Sequence, residues 1–245
     1  MTASKSLSTK CRIGILLFIG LFSARAFAQE NVSASEIMKD IKDGKNISYE
    51  NVTIKGVLDF TYMDEKLPDL PERSKWWNNG NSNTVNESIG VSISFINCTF
   101  EDDVLAYIHQ EKSGYTFIAN FDKDVRFMDC DFNRNAMFKY SDFDRMADFE
   151  GTQFERKSTF KYAEFDEKAN FANTRFDDDA TFKYTEFDEG VSFMNAVFEE
   201  SLNIKYMNSR GDFDIKGIKV RDDIDAKYTK VNGRSFNAYL LDNRN

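Results

Sequence analysis

The feature that most constrains this chain is a phenylalanine that returns after five residues, then six, then five again. It does so without a break at positions 127, 132, 138, 143, 149, 154, 160, 165, 171, 176, 182, 187, 193 and 198. Two residues before most of these rings sits a small or short side chain: Ala136, Ser141, Ala147, Thr152, Ser158, Ala163, Ala169, Thr174, Ala180, Thr185, Val191 and Ala196. The residue between is mostly polar, as in Ala169-Asn170-Phe171. A triplet of this kind is a short strand with two side chains turned in and one turned out. An amphipathic helix would need apolar residues three and four apart, which this run lacks.

A longer period lies above the first. Phe138-Lys139-Tyr140, Phe160-Lys161-Tyr162, Phe182-Lys183-Tyr184 and Ile204-Lys205-Tyr206 recur at one constant interval, and FKYAEFDE at 160–167 returns as FKYTEFDE at 182–189. Half that interval fails, because Phe149, Phe171 and Phe193 are followed by Glu-Gly, Ala-Asn and Met-Asn. The structural unit is therefore a 22-residue period with four Phe-centred sides. Such a unit is one turn of a four-sided coil, and successive turns stack by parallel strand pairing at about 4.8 Å.

These triplets resemble the repeats of the pentapeptide-repeat proteins, whose unit runs small–polar–Leu/Phe–x–x; Ala147-Asp148-Phe149 reads that way here. The resemblance is close from about Phe121 to Ile204. It implies an all-β fold, a right-handed quadrilateral parallel β-helix with Phe and the small residue inside. The extra residue in alternate repeats is a departure, enlarging the coil from 20 to 22. The resemblance brings no shared catalytic site, and it points to a bacterial source. Some cytoplasmic relatives imitate DNA, a role at odds with an export signal.

Weaker triplets extend the coil to about 45–228: Ile47-Ser48-Tyr49, Val52-Thr53-Ile54, Leu58-Asp59-Phe60, Ile93-Ser94-Phe95 and Cys98-Thr99-Phe100 before it, and Ile215, Ile218, Val220 and Ile224 after. Insertions are expected at about 63–88, which holds both prolines and both tryptophans, and at about 101–115, which holds the single histidine. Ser33-Ala34-Ser35-Glu36 reads as a capping box opening a short helix that Gly44 stops, so residues 29–44 form an N-terminal cap. Residues 229–245 form a tail in which Leu240 and Leu241 are placed to cap the other end.

Residues 1–28 read as a secretory signal peptide: a basic start (Lys5, Lys10, Arg12), a short apolar run from Ile13 to Phe22, and Ala26-Phe27-Ala28 before Gln29. The apolar run is too short to cross a bilayer, which takes about 20 residues. Removing the whole segment leaves 28 basic and 41 acidic residues, a formal charge of −13. A surface this acidic repels nucleic-acid phosphates and anionic membranes over about 8 Å. The expected location is the periplasm or the cell exterior, with no membrane span after cleavage.

Candidate chemistry is sparse. His109 has no partners at the spacing of a triad or a zinc site, so it reads as a loop residue. Cys98 and Cys130 both hold the small inward position; allowing for ten extra residues between Phe100 and Phe121, they stack as neighbours. They form either a disulfide or a pair of buried thiols. Asp142, Glu164 and Glu186 stack on one another, as do Asp144, Asp166 and Asp188, which leaves calcium as an alternative to a solvated ladder offset by the Lys139, Lys161, Lys183 and Lys205 column. No other cofactor is implied. Arg210-Gly211-Asp212 and five N-x-S/T sequons carry no argument on their own.

The contact candidates are Trp76 and Trp77, with the column Tyr140, Tyr162, Tyr184 and Tyr206 expected to face outward at one corner. The sequence points to an exported, non-catalytic structural or interaction module that binds a protein or glycan through side faces and loops. The alternative is a carbohydrate-active β-helical enzyme of the polysaccharide-lyase type. Such an enzyme needs converging carboxylates and a base in a cleft, and a 22-residue coil is narrow for one.

Overall fold

The computed structural model describes residues 30–72 and 83–242; residues 1–28, read above as a signal peptide, and Trp76 and Trp77 lie outside the described residues. The described chain is a four-sided parallel β-helix. Its four sheets, here faces one to four in chain order, pass in the central coil through Ala147–Asp148, Gln153–Phe154, Ser158–Thr159 and Glu164–Phe165. Each central strand pairs in parallel with its counterpart one full period on, as in Phe143↔Phe165↔Phe187 and Ala147↔Ala169↔Val191.

The interior follows from the triplet. Every Phe of the 127–198 series is at most 1% exposed, and so are the small residues two before it. Rings one coil apart stack nearly parallel: Phe143 on Phe165 at 4.6 Å, Phe154 on Phe176 at 4.8 Å. Rings on opposite faces meet edge to face across the coil, as Phe149 of face one meets Phe160 of face three at 5.3 Å. Both arrangements suit the ring quadrupole, so one coil's cross-section is four rings that wedge one another. Where a terminal coil lacks its Phe, the partner position grows: Met207 accompanies Ser209, and Leu202 accompanies Ile204, all buried. Volume is kept while the sequence pattern is lost.

The corners explain the alternation of five and six. The five-residue steps turn through one residue at positive φ, with a hydrogen bond across the turn such as Ala163 N to Phe160 O at 3.0 Å. After face one that residue is Asn51, Asn97, Asp129, Gly151, Asn173, Asn195 or Gly217, types that tolerate the left-handed region. After face three it is Tyr62, Tyr140, Tyr162, Tyr184, Tyr206 or Tyr228.

Four details differ from the sequence expectation. A strand, Glu30–Ser33, already pairs with Val52–Lys55 on face two, so the coil begins ahead of helix α1 (Ala34–Lys42). The capping box does not close, because the Ser33 hydroxyl bonds Ser35 Oγ at 2.7 Å; α1 still buries Ala34, Ile37, Met38 and Ile41 over the first coil. The first insertion holds α2 (Met63–Lys66), and it runs out into a face-four strand, Thr84–Ile89, alongside Thr116–Phe121. The second insertion begins only at Tyr107, since Val104–Leu105 is a regular face-three strand; the extra residues form a hairpin, Tyr107–Gln110 against Tyr115–Ile118.

The C-terminal end also runs further than the 228 boundary. Lys230–Val231 closes face four, Arg234–Ser235 folds back on it, and helix α3 (Phe236–Asp242) caps the end. Phe236 and Tyr239 pack edge-on against Phe213, and the Tyr239 hydroxyl donates to Phe213 O at 2.6 Å. Leu240 packs on the core, whereas Leu241 is exposed and caps nothing. The cap is aromatic because Phe213, at the small-residue position of its triplet, presents a ring at the coil's end.

Candidate functional site

Face four gathers most of the side chains singled out from the sequence. At its leading corner Tyr140, Tyr162, Tyr184 and Tyr206 form one column, and a fifth ring, Tyr228, continues it. Centroids are 4.8, 4.7, 4.6 and 4.8 Å apart; the first three pairs lie within 6° of parallel and the last within 23°. The spacing is that of the strands themselves, so the backbone register sets the stacking. Tyr228 was readable one period beyond Tyr206, but Ala226-Lys227-Tyr228 lacks the large residue that marks the others.

The column is not a strip of open ring faces. Each ring spends its faces on its neighbours, and each carries a lysine: Lys139, Lys161, Lys183, Lys205 and Lys227 lie 4.7, 4.9, 5.1, 5.8 and 4.9 Å from the centroids of the tyrosines that follow them. The lysine column therefore faces the tyrosines and does not offset the acidic columns, a correction to the sequence reading. Burial lowers the Lys161 ammonium from its ordinary pKa, with Lys139 and Lys183 adding to the effect. What the column presents outward is ring edges, hydroxyls and ammonium groups. Its last ring, Tyr228, is the most exposed at 58%, whereas at the other end Tyr107 packs against Tyr140.

Beside it, Asp142, Glu164 and Glu186 stack along the middle of face four. Burial raises the Asp142, Glu164 and Asp166 carboxyls above the ordinary carboxylate range, and the stacked neighbours raise them further. Carboxylate oxygens of Glu164, Asp166 and Asp188 lie within 4.8 Å of one another. Asp188 is already held by Arg210, which also reaches Glu186 at 3.6 Å. Three carboxylates, one engaged by a guanidinium, fall well short of the roughly six to eight oxygens that calcium gathers.

The two described cysteines sit as vertical neighbours on face two, one residue before the register pair Asp131↔Thr99. Both are free and buried. Cys130 Sγ donates to Phe95 O at 3.4 Å and Cys98 Sγ to Tyr49 O at 3.6 Å. One coil on, Thr152 makes the same bond to Phe127 O. The thiols thus fill a place that a threonine hydroxyl fills next door, and burial pushes the Cys130 thiol well above its ordinary pKa. His109 is exposed on the hairpin, with Nδ1 2.9 Å from Thr116 Oγ1.

No helix among the described residues is long and apolar enough to cross a membrane. Residues 119–163 and 160–206 match the family model described as pentapeptide repeats (9 copies). Neither the search of curated proteins nor that of solved structures returned a match. The matched stretch lies on the most regular coils, where strands pair with those a full period on and every inward Phe is buried. On that agreement of sequence and geometry, residues 119–206 are a run of pentapeptide repeats.

Proposed function

We propose that this protein is an exported, non-catalytic interaction module that binds a protein or glycan partner, with face four as its working face. The observation that carries the reading is the column of five stacked tyrosines. It lines a flat parallel sheet with lysines on one side and carboxylates on the other. Aromatic and charged groups fixed by a rigid sheet lose little entropy when a partner docks. The described lysines and carboxylates of this face point outward at coil spacing, so they suit a contact surface better than general acid–base work across a cleft. Export rests on the residues ahead of Gln29, and the mass of the exported chain should begin at that residue.

The test is capture of the partner from envelope extract by wild type and by the double variant Tyr162→Asn/Tyr184→Asn. Asparagine tolerates positive φ, so the corner survives while the rings go. Loss of capture, with the melting temperature lowered by only a few degrees, supports the reading. Normal capture by a well-folded double variant would sink it. Thr181→Ala on face three is the control and should leave capture unchanged.

A further inference from the structure

We infer that the C-terminal end of face four is a binding site for an acidic saccharide, one carrying carboxylates of the uronate kind. This rests on the reading of face four as the working face and names the ligand class for one end of it. Tyr206, Asn208, Arg210, Tyr228 and Lys230 line an open groove of about 760 Å³ there, within the range of ligand sites, about 300–1,000 Å³.

Three observations meet in this groove. The first is the open ring. Tyr228 is the end of the stack, tilted 23° from Tyr206 and the most exposed ring of the column. A sugar ring is as broad as a phenol ring and offers a face of C–H groups, so it can continue a stack that protein side chains have left off. The second is charge. The outward column of face four runs Asp142, Glu164, Glu186, Asn208, Lys230, and the corner column beside it runs Asp144, Asp166, Asp188, Arg210. On a chain with nine more acidic than basic residues, both columns change sign at this end.

The third is unspent hydrogen-bonding capacity. Among the described residues Lys230 makes no ion pair, and the Asn208 amide has no hydrogen-bond partner. Arg210 holds Asp188 and approaches Glu186, yet its side chain remains more than half exposed. The N-terminal groove of about 360 Å³ differs on this point, because its lysines are matched internally, Lys42 with Glu65 and Lys66 with Glu87. A ligand with a carboxylate for Lys230 and Arg210, hydroxyls for Asn208 and a C–H face for Tyr228 uses everything this end leaves free.

The experiment is calorimetric titration of the purified protein with tetragalacturonate, with maltotetraose as the neutral comparison and inorganic phosphate as the bare anion. Tetragalacturonate should bind, and Tyr228→Asn and Lys230→Gln should each weaken it about tenfold. Thr181→Ala, on face three, should leave it unchanged. Maltotetraose and phosphate should each bind at least about tenfold more weakly than tetragalacturonate. The inference fails if folded protein ignores tetragalacturonate, if phosphate or maltotetraose binds as well, or if both groove variants bind like wild type. Lys230 lies on the surface, so Lys230→Gln keeps the test informative even if Tyr228→Asn melts early. Should Tyr162→Asn/Tyr184→Asn lose the envelope partner while tetragalacturonate goes unbound, this inference falls and the broader reading of face four stands.

Discussion

A tyrosine at positive φ is a costly choice, and this chain makes it six times, at Tyr62, Tyr140, Tyr162, Tyr184, Tyr206 and Tyr228. A non-glycine residue held there costs about 1–3 kcal/mol. Each stacked pair returns about 0.5–1.5 kcal/mol, and each lysine over a ring about 0.5–1. The terms are of one size, so the column is neither free decoration nor a main source of stability. The interior is a different matter. Phe165→Ala empties a site bounded by Phe143 and Phe187, at 4.6 and 4.9 Å, and should cost about 3–5 kcal/mol in urea unfolding. Glu164→Gln, one residue away but exposed, should change stability by less than about 1 kcal/mol. Equal effects would break the in–out–in assignment. That alternation was legible because a two-residue period fixes which side chain faces the core. The thiol bonds of Cys98 and Cys130 were not, because no spacing rule says which carbonyl an inward hydrogen-bond donor will reach.

Among elements, the two acidic columns of face four carry a pH dependence. Asp142, Glu164 and Asp166 have folded pKa values above their ordinary 3.8, 4.5 and 3.8. A carboxyl raised in the folded state binds more protons folded than unfolded, so stability falls as pH rises through that window. The melting temperature should therefore be higher near about pH 5 than at pH 7. Asp142→Asn together with Glu164→Gln should flatten the difference; a melting temperature that falls steadily from pH 7 to 5 would contradict it. The stacking of these carboxylates follows from the 22-residue period and could be read directly. The orientation of the lysine column could not: the period placed Lys161 beside both a tyrosine and an aspartate, and only the backbone at positive φ turns the ring under the ammonium. The caps were half legible. Helix α1 shows its apolar face in Ile37 and Ile41, but the strand before it is polar apart from Val32, and α3 buries Phe236 where the sequence drew attention to Leu240 and Leu241.

At the scale of the whole molecule, the strands of the central coils pair only with those of the coils before and after them, at one constant period, and the Lys168–Asp212 ion pair reaches two coils on. Stability in such a solenoid is close to a sum of coil and interface terms, with fraying from the ends. The two insertions leave at corners, after Phe60 and Ala106, where an excursion does not disturb the strand pairing that resumes beyond it. Inserting a second copy of residues 160–181 after Thr181 should give a folded protein longer by about one strand spacing, 4.8 Å, in small-angle scattering. Aggregation, or an unchanged length, would mean that the coils are not interchangeable. The near-identity of FKYAEFDE and FKYTEFDE then takes on a historical meaning. A chain whose neighbours meet only at a fixed interval can lengthen by copying that interval, because every corner and ring of the copy finds its counterpart waiting. The regular middle of the coil is the part that admits such a copy; the irregular coils at either end are the parts that close it.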